Sequence, residues 1–310
     1  MSEPPIVPPF EDVEAMAAAL DEAGYLADRD TVVVAWLAGA LGRPLLIEGP
    51  PGVGKTELAK AVARATDTAM LRLQCYEGLD ESKSLYEWEY GKQLLYTQLV
   101  RHALADTVAG ATDLTDAVER VAAHDAAFFH ERFLVERPLL AALRSETPVV
   151  LLIDEVDRGD PELEAMLLEV LSDFSVSVPE LGTLEARSRP YVVLTSNATR
   201  ELTEALRRRC LHLVLDFPDA ARELRIVRRR VPEASEALAK QLVAFVQSVR
   251  AGDLKKTPSV AETIDWARAL VLLGARSLEP ELVRQTLGVL LKHADDARRV
   301  TPDLGRHMGR

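Results

Sequence analysis

Five short apolar runs, at 44–47, 70–73, 149–153, 191–195 and 212–215, stand out along the chain because they hardly alternate with polar positions. A strand covered on one face alternates and a strand covered on both faces need not, so these runs predict buried strands of a parallel sheet. Between most of them apolar residues recur at three- and four-residue spacing, the period of an amphipathic helix. Strands alternating with helices predict an α/β domain. Ahead of the first run, 11–24 and 30–41 read as helices, the former closed by Gly24 as a C-cap. Residues 1–10 hold four prolines and read as an extended arm.

The gap between the second and third runs is longer than one crossover helix needs. Most of it reads as helix (94–108, 114–131 and 138–143), so an insertion is expected over about 76–135. The stretch 174–189 has two β-like runs around a Pro-Glu-Leu-Gly turn and reads as a hairpin. Beyond 218 no buried strand recurs, and 219–230, 232–250, 259–273 and 280–297 all carry the helical period. The expected organisation is an α/β domain over 1–217 followed by a small all-helical domain over 218–310.

Charge narrows the function classes. With 37 Lys and Arg against 49 Asp and Glu, the net charge of −12 disfavours non-specific binding of nucleic acid, which needs a positive surface. The two cysteines, Cys75 and Cys210, exclude a disulfide scaffold and fit a reducing compartment. No secretory leader is visible, and no apolar run approaches the ~20 residues needed to span a bilayer. A cytoplasmic protein is expected. The six histidines show no metal-ligand spacing. Arg225, Arg228, Arg229 and Arg230 read as a solvated face of one helix.

The chemistry begins at Gly49-Pro50-Pro51-Gly52-Val53-Gly54-Lys55-Thr56, which fits G-x-x-x-x-G-K-[ST] between a strand and a helix that continues with Glu57. Glycines let successive N–H groups converge on phosphate oxygens, and the helix N-terminus adds partial positive charge there. Lys55 is placed to reach the β- and γ-phosphates and Thr56 to hold Mg2+. The run 149–153 ends in Asp154-Glu155, at the strand end where parallel sheets place ligands. Asp154 is then suited to organise Mg2+, and Glu155 to orient or deprotonate the attacking water. The run 191–195 ends at Ser196-Asn197, whose amide can bond both the γ-phosphate and that water. Arg207, Arg208 and Arg209 close a short helix, where one of them could enter a neighbouring subunit's site; Arg158 is a weaker candidate.

These four elements, in this order and followed by a helical segment, resemble an AAA+ ATPase over nearly the whole chain. The resemblance implies a P-loop fold with Walker A at 49–56, Walker B at 149–155, Asn197 as sensor 1 and Arg208 or Arg209 as arginine finger. Residues 136–183 look like the MoxR family. Residues 71–95 and 258–270 look like its branch encoded with von Willebrand factor A partners, which includes ATPases that mature carbon monoxide dehydrogenase (CoxD-like). What this resemblance implies is a ring hexamer using ATP and Mg2+ at subunit interfaces, acting as a chaperone or metal-centre maturation factor on a protein client. One departure is that 257–262 lacks the sensor 2 arginine; Arg268 lies two helical turns further on, and no residue is assigned that role. The alternatives are a DNA-associated AAA+ motor and a nucleotide-gated scaffold, the latter disfavoured by Glu155.

Overall fold

A computed structural model of the chain describes residues 10–99, 111–113, 115–116, 133–178 and 182–308. Nearly all of the proline arm, most of the helices expected at 94–108 and 114–131, and the hairpin tip fall outside the described residues.

Nine strands are described: β1 (Leu45–Glu48), β2 (Met70–Gln74), β3 (Tyr86–Trp88), β4 (Leu134–Glu136), β5 (Val150–Asp154), β6 (Ser175–Val178), β7 (Gly182–Glu185), β8 (Tyr191–Ser196) and β9 (Leu211–Val214). Five make one sheet in the order β2-β5-β8-β1-β9. Every neighbouring pair in it is parallel, with Leu45 opposite both Val193 and Leu211. This order brings the carboxyl ends of β1, β5 and β8 together, which is where an open parallel sheet holds its ligand.

The missing alternation in the apolar runs has its cause in the two layers that cover the sheet. Leu46, Leu151, Ile153, Val192 and Leu194 pack into one core, and Leu45, Ile47, Val150, Leu152, Tyr191 and Val193 into the other. Successive side chains point to opposite faces, so both parities must be apolar when both faces are buried. The first core is completed by helices Pro138–Arg144 and Pro161–Asp173, the second by Val13–Glu22, Arg29–Ala40 and Lys55–Ala65. Tyr191, buried mid-layer, satisfies its hydroxyl by donating to the Ala35 carbonyl at 2.9 Å.

Helices from Ala220 onward pack around a third core that includes Phe245, Trp266, Leu270 and Leu287. Their starts are set by short polar side chains: Asp219 caps Ala220–Arg230, Ser235 caps Glu236–Arg250, and Ser259 with Glu262 makes a capping box on Val260–Leu272. A buried ion pair ties three of these helices together. Arg250 holds Glu223 by two bonds of 2.7 Å, and Thr263 and Gln247 donate to the same carboxylate at 2.9 and 2.7 Å. The cluster also reaches the connection from the sheet, since Gln247 donates to the Pro218 carbonyl at 2.9 Å and the Arg250 guanidinium lies 4.7 Å over the Phe217 ring.

Two expectations change. The insertion is not helical throughout: β3 pairs antiparallel with β4, Tyr86 opposite Glu136. Three-residue strands are too short to show a period of two, so only pairing across the insertion defines them. The last helix is not continuous over 280–297 but divides into Pro280–Leu290 and Ala294–Val300. Leu291 is extended, and the turn brings Asp296 inward to accept the N–H groups of Lys255 and Lys256 at 2.8 and 3.1 Å.

Candidate active site

The phosphate loop runs from the end of β1 into helix Lys55–Ala65, and two of its glycines are sterically required. A Cβ on Gly49 would stand 2.0 Å from the Leu215 carbonyl oxygen, and one on Gly52 would stand 2.2 Å from the Ser259 Cβ. Both also have positive φ, at 151° and 79°. The Gly52 approach means that the loop touches the N-terminus of helix Val260–Leu272. Gly49→Ala is therefore expected to unfold at a temperature several degrees below wild type in calorimetry, because a backbone carbonyl cannot retreat as a side chain can.

Lys55 leads back over the loop. Its Nζ donates to the carbonyls of Gly49 at 2.6 Å and Pro50 at 2.9 Å, and to Asn197 Oδ1 at 2.8 Å. Burial pushes its pKa below the ordinary lysine value, opposed by the charges of Asp157, Asp154 and Glu155. Thr56 Oγ1 donates to Asp154 Oδ1 at 3.0 Å, as does Thr195 Oγ1 at 2.5 Å. Hydroxyl and carboxylate oxygens side by side are the hard donors that Mg2+ prefers, so Thr56 and Asp154 fit that ion.

Glu155 is a left-handed residue at φ 56°, ψ 49°, a conformation that costs about 1–3 kcal/mol for a residue with a Cβ. Its N–H donates to Thr195 Oγ1 at 2.9 Å. Its carboxylate takes Gln74 Nε2 at 3.0 Å, Asn197 Nδ2 at 3.3 Å and the Arg158 guanidinium at 3.1 Å. Ala198, just past Asn197, is left-handed as well, at φ 55°. The turn there is fixed by Asp157, which accepts from the N–H groups of Asn197 and Thr199 at 3.2 and 3.0 Å and from the Thr199 hydroxyl at 2.6 Å. Burial raises the pKa of Asp157, but these bonds outweigh it and leave the carboxyl below its ordinary value.

The structure thus brings together Lys55, Thr56, Asp154, Glu155 and Asn197, and adds four residues absent from the sequence reading. Asp157 and Thr195 position the tips of β5 and β8. Gln74 holds Glu155, and Arg72 donates to Asp154 Oδ2 at 2.5 Å. The available signal was the arginine and glutamine standing in the otherwise apolar strand β2. Arg158 pairs with Glu155 of its own chain at 3.1 Å.

Beside the loop opens a cavity of about 670 Å3, within the range that takes a small ligand. Tyr25, Gly52, Val53, Gly54 and Glu57 line one side, and helices of the C-terminal segment the other. Glu57 is held by Arg64 and Arg230, each at 2.9 Å, and the pair keeps its carboxyl below the ordinary value against the opposing effect of burial. Two readings from sequence are revised here. Arg225 and Arg230, taken for a solvated face, are on the cavity wall. Arg268, left without a role, is there too, beside Asp265. Helix Ala220–Arg230 docks on the first helices, where Arg222 bonds Asp28 at 2.5 Å and Arg229 bonds Asp21 at 2.9 Å, and this sets Arg225 and Arg230 along the open cavity with their side chains still exposed.

Arg207, Arg208 and Arg209 separate. Arg207 makes a bidentate pair with Glu48, at 2.8 and 3.0 Å, a bond that raises its pKa. Arg208 and Arg209 are exposed at the far end of helix Glu204–Arg209 and are not in the wall of the nucleotide-sized cavity. Cys75 and Cys210 are buried, and burial pushes both thiols up to about 12, which leaves no thiolate for nucleophilic chemistry. No described helix is long and apolar enough to cross a membrane.

The chain is 28% identical over 223 residues to the gas vesicle ATPase GvpN of Haloferax mediterranei, covering 68% of this chain and 57% of that protein. It is 22% identical over 247 residues to an uncharacterized protein of Staphylococcus haemolyticus, covering 74% and 76%. Among solved structures, a mutant of Thermotoga maritima RuvB matches with a TM-score of 0.48 and 17% identity, covering 98% of this chain and 80% of that one. The chain spans 57% of the length of the GvpN relative. The family model described as the AAA domain, dynein-related subfamily, matches residues 44–210, which is more than half of the sequence and contains the whole contact network from Gly49 to Asn197. The chain belongs to the AAA domain family, dynein-related subfamily.

Proposed function

We propose that the chain binds ATP in the cavity beside the phosphate loop, hydrolyses it, and uses the cycle to remodel a protein client. The observation that carries this reading is the unbroken run of contacts Thr56–Asp154–Thr195–Glu155–Asn197–Lys55 across three strand ends. A binding module has no need of Glu155 held at the tip of a strand by Gln74 and Asn197. In this reading Lys55 exchanges the carbonyls of Gly49 and Pro50 for phosphate oxygens. Gly52, Val53, Gly54, Lys55 and Thr56 of the loop, and Glu57 in the first helical turn, turn their N–H groups toward the same oxygens, whereas Pro50 and Pro51 have no N–H and shape the loop. Asn197 spans the terminal phosphate and the attacking water, and Glu155 accepts that water's proton. Thr56 and Asp154 would hold Mg2+, which would supply positive charge against the negative charge developing on the phosphate. Relatives named as ATPases support hydrolysis as the activity.

The finer assignment follows the sequence resemblance. It is a MoxR-type ATPase of the CoxD-like branch, assembled as a ring of six with Arg208 or Arg209 acting on the neighbour's nucleotide. Its partner is a von Willebrand factor A protein and its client an enzyme whose metal centre is being assembled. Lys55→Ala is expected to weaken ATP binding about a hundredfold or more in calorimetry, near 3 kcal/mol; wild-type affinity would discard the phosphate-loop assignment. Affinity purification of Glu155→Gln protein with ATP tests the client. A retained protein supports the reading, whereas nucleic acid with no protein would replace it with a DNA-associated motor.

A further inference from the structure

β2 is an edge strand, with β5 as its neighbour in the sheet. Met70 packs with Val150 and Leu152 into the core under helix Lys55–Ala65. Side chains two positions apart share a face, so Arg72 and Gln74 of β2 and Asp154 of β5 stand on that same side. The face that is apolar at its base therefore turns polar where it meets Thr56.

The two oxygens of Asp154 divide their partners by type. Oδ1 takes the hydroxyls of Thr56 at 3.0 Å and Thr195 at 2.5 Å, and Oδ2 takes the Arg72 guanidinium at 2.5 Å. Arg72 is the one cation bonded to this carboxylate among the described residues. Lys55 is buried and donates instead to Gly49, Pro50 and Asn197. The ion pair is lopsided, because the Asp154 side chain is 4% exposed and that of Arg72 is 47%. A buried carboxylate that loses its cation cannot turn to water, whereas a half-exposed guanidinium can. The same Arg72 nitrogen, Nη2, also donates to Gln74 Oε1 at 2.5 Å, so it has an acceptor to keep when it leaves Asp154. Thr56 and Asp154 are the residues whose oxygens fit Mg2+, and two cations brought to one carboxylate repel each other.

We propose that Arg72 is a positioning residue that serves Asp154 as its cation until Mg2+ takes that place, and that it then withdraws to Gln74 and water. The proposal rests on the reading of the site as a Mg2+-dependent ATP site and adds a role which that reading does not contain. Arg72 keeps the buried carboxylate paired and aimed toward Thr56, and the cost of its withdrawal sets how much Mg2+ the site needs.

The test is a Mg2+ titration of the full-length protein, stripped with EDTA, at a fixed concentration of a fluorescent ATP analogue. Wild-type binding is expected to strengthen through a Mg2+ midpoint. Arg72→Met and Arg72→Gln are each expected to lower that midpoint about tenfold, the scale of one hydrogen bond to a charged group that no longer has to be given up. Arg72→Lys, which keeps the charge, should fall between them and wild type. Without Mg2+ and nucleotide, the two neutral variants are expected to melt several degrees below wild type. Saturating Mg2+ and analogue should close most of that gap, since the ion then pairs Asp154 in every variant. A midpoint equal to wild type in both neutral variants would reduce Arg72 to a salt bridge on an edge strand, overturning the inference and leaving the ATP site standing. A raised midpoint, with weaker binding at saturating Mg2+, would make Arg72 a contact that holds the nucleotide and overturn the inference as well. Wild-type protein that binds no analogue, or binds it equally with and without Mg2+, would overturn the inference together with the reading it rests on.

Discussion

Glu155→Gln is expected to bind ATP as wild type does and to hydrolyse it ~10²–10⁴-fold more slowly, the range that a positioned general base contributes. The corresponding barrier is about 3–5 kcal/mol at 1.36 kcal/mol per tenfold. The isostere keeps the shape of the side chain and one of its two oxygens, so it can accept from Gln74 or from Asn197, which bond different oxygens of the carboxylate, while the backbone N–H bond of residue 155 to Thr195 is unaffected. What it lacks is a group that takes the proton of water, together with the charge facing Arg158 at 3.1 Å. Single-turnover hydrolysis with a parallel binding isotherm separates the two effects. A rate within a few-fold of wild type would remove Glu155 from the chemistry and leave it as a helix-start carboxylate.

The second large effect lies outside the site. Arg250→Ala is expected to destabilise the C-terminal helical segment by about 3–5 kcal/mol, because it leaves the Glu223 carboxylate buried without its cation. Glu223 has no solvent exposure and Arg250 has 6%, so water cannot take over the missing partner. Thr263 and Gln247 would still donate to the carboxylate, which satisfies its hydrogen bonds but not its charge. The double variant Glu223→Leu with Arg250→Leu should recover much of the loss, since an apolar pair carries no desolvation cost. Unfolding followed through Trp266, which packs 5.3 Å from Phe245 in that core, reads out the segment directly. A loss under about 1 kcal/mol would mean the pair behaves as a surface salt bridge. Because Arg250 also lies over Phe217 and Gln247 bonds Pro218, the single variant is expected to raise the KM for ATP as well.

Much of the architecture was legible because its signals are local. Non-alternating runs reported strands buried on both faces, and the phosphate loop announced itself by glycine, lysine and threonine at fixed spacing. The helices after Pro218 were legible from their period and their capping residues. Lys55, Thr56, Asp154, Glu155 and Asn197 could be named as candidates for the same reason: each stands in or just after a recognisable strand-to-loop junction. The short strands β3 and β4 were not legible, since three residues carry no period and their pairing bridges most of the insertion.

Sequence alone therefore determined the layers, the phosphate loop and which residues stand at the strand tips, because near neighbours along the chain decide them. Only the tertiary structure decided which distant side chains complete the site. Arg72 meets Asp154 across 82 positions, Gln74 meets Glu155 across 81, and Arg230 meets Glu57 across 173. It also set Arg225 and Arg268 along the cavity and gathered Arg43, Arg189 and Arg209 at the opposite edge of the sheet. The physical reason is that a charged side chain looks the same in a sequence whether it faces water or a buried carboxylate. Helix docking and strand order choose between these, and both are settled by contacts far apart in the chain.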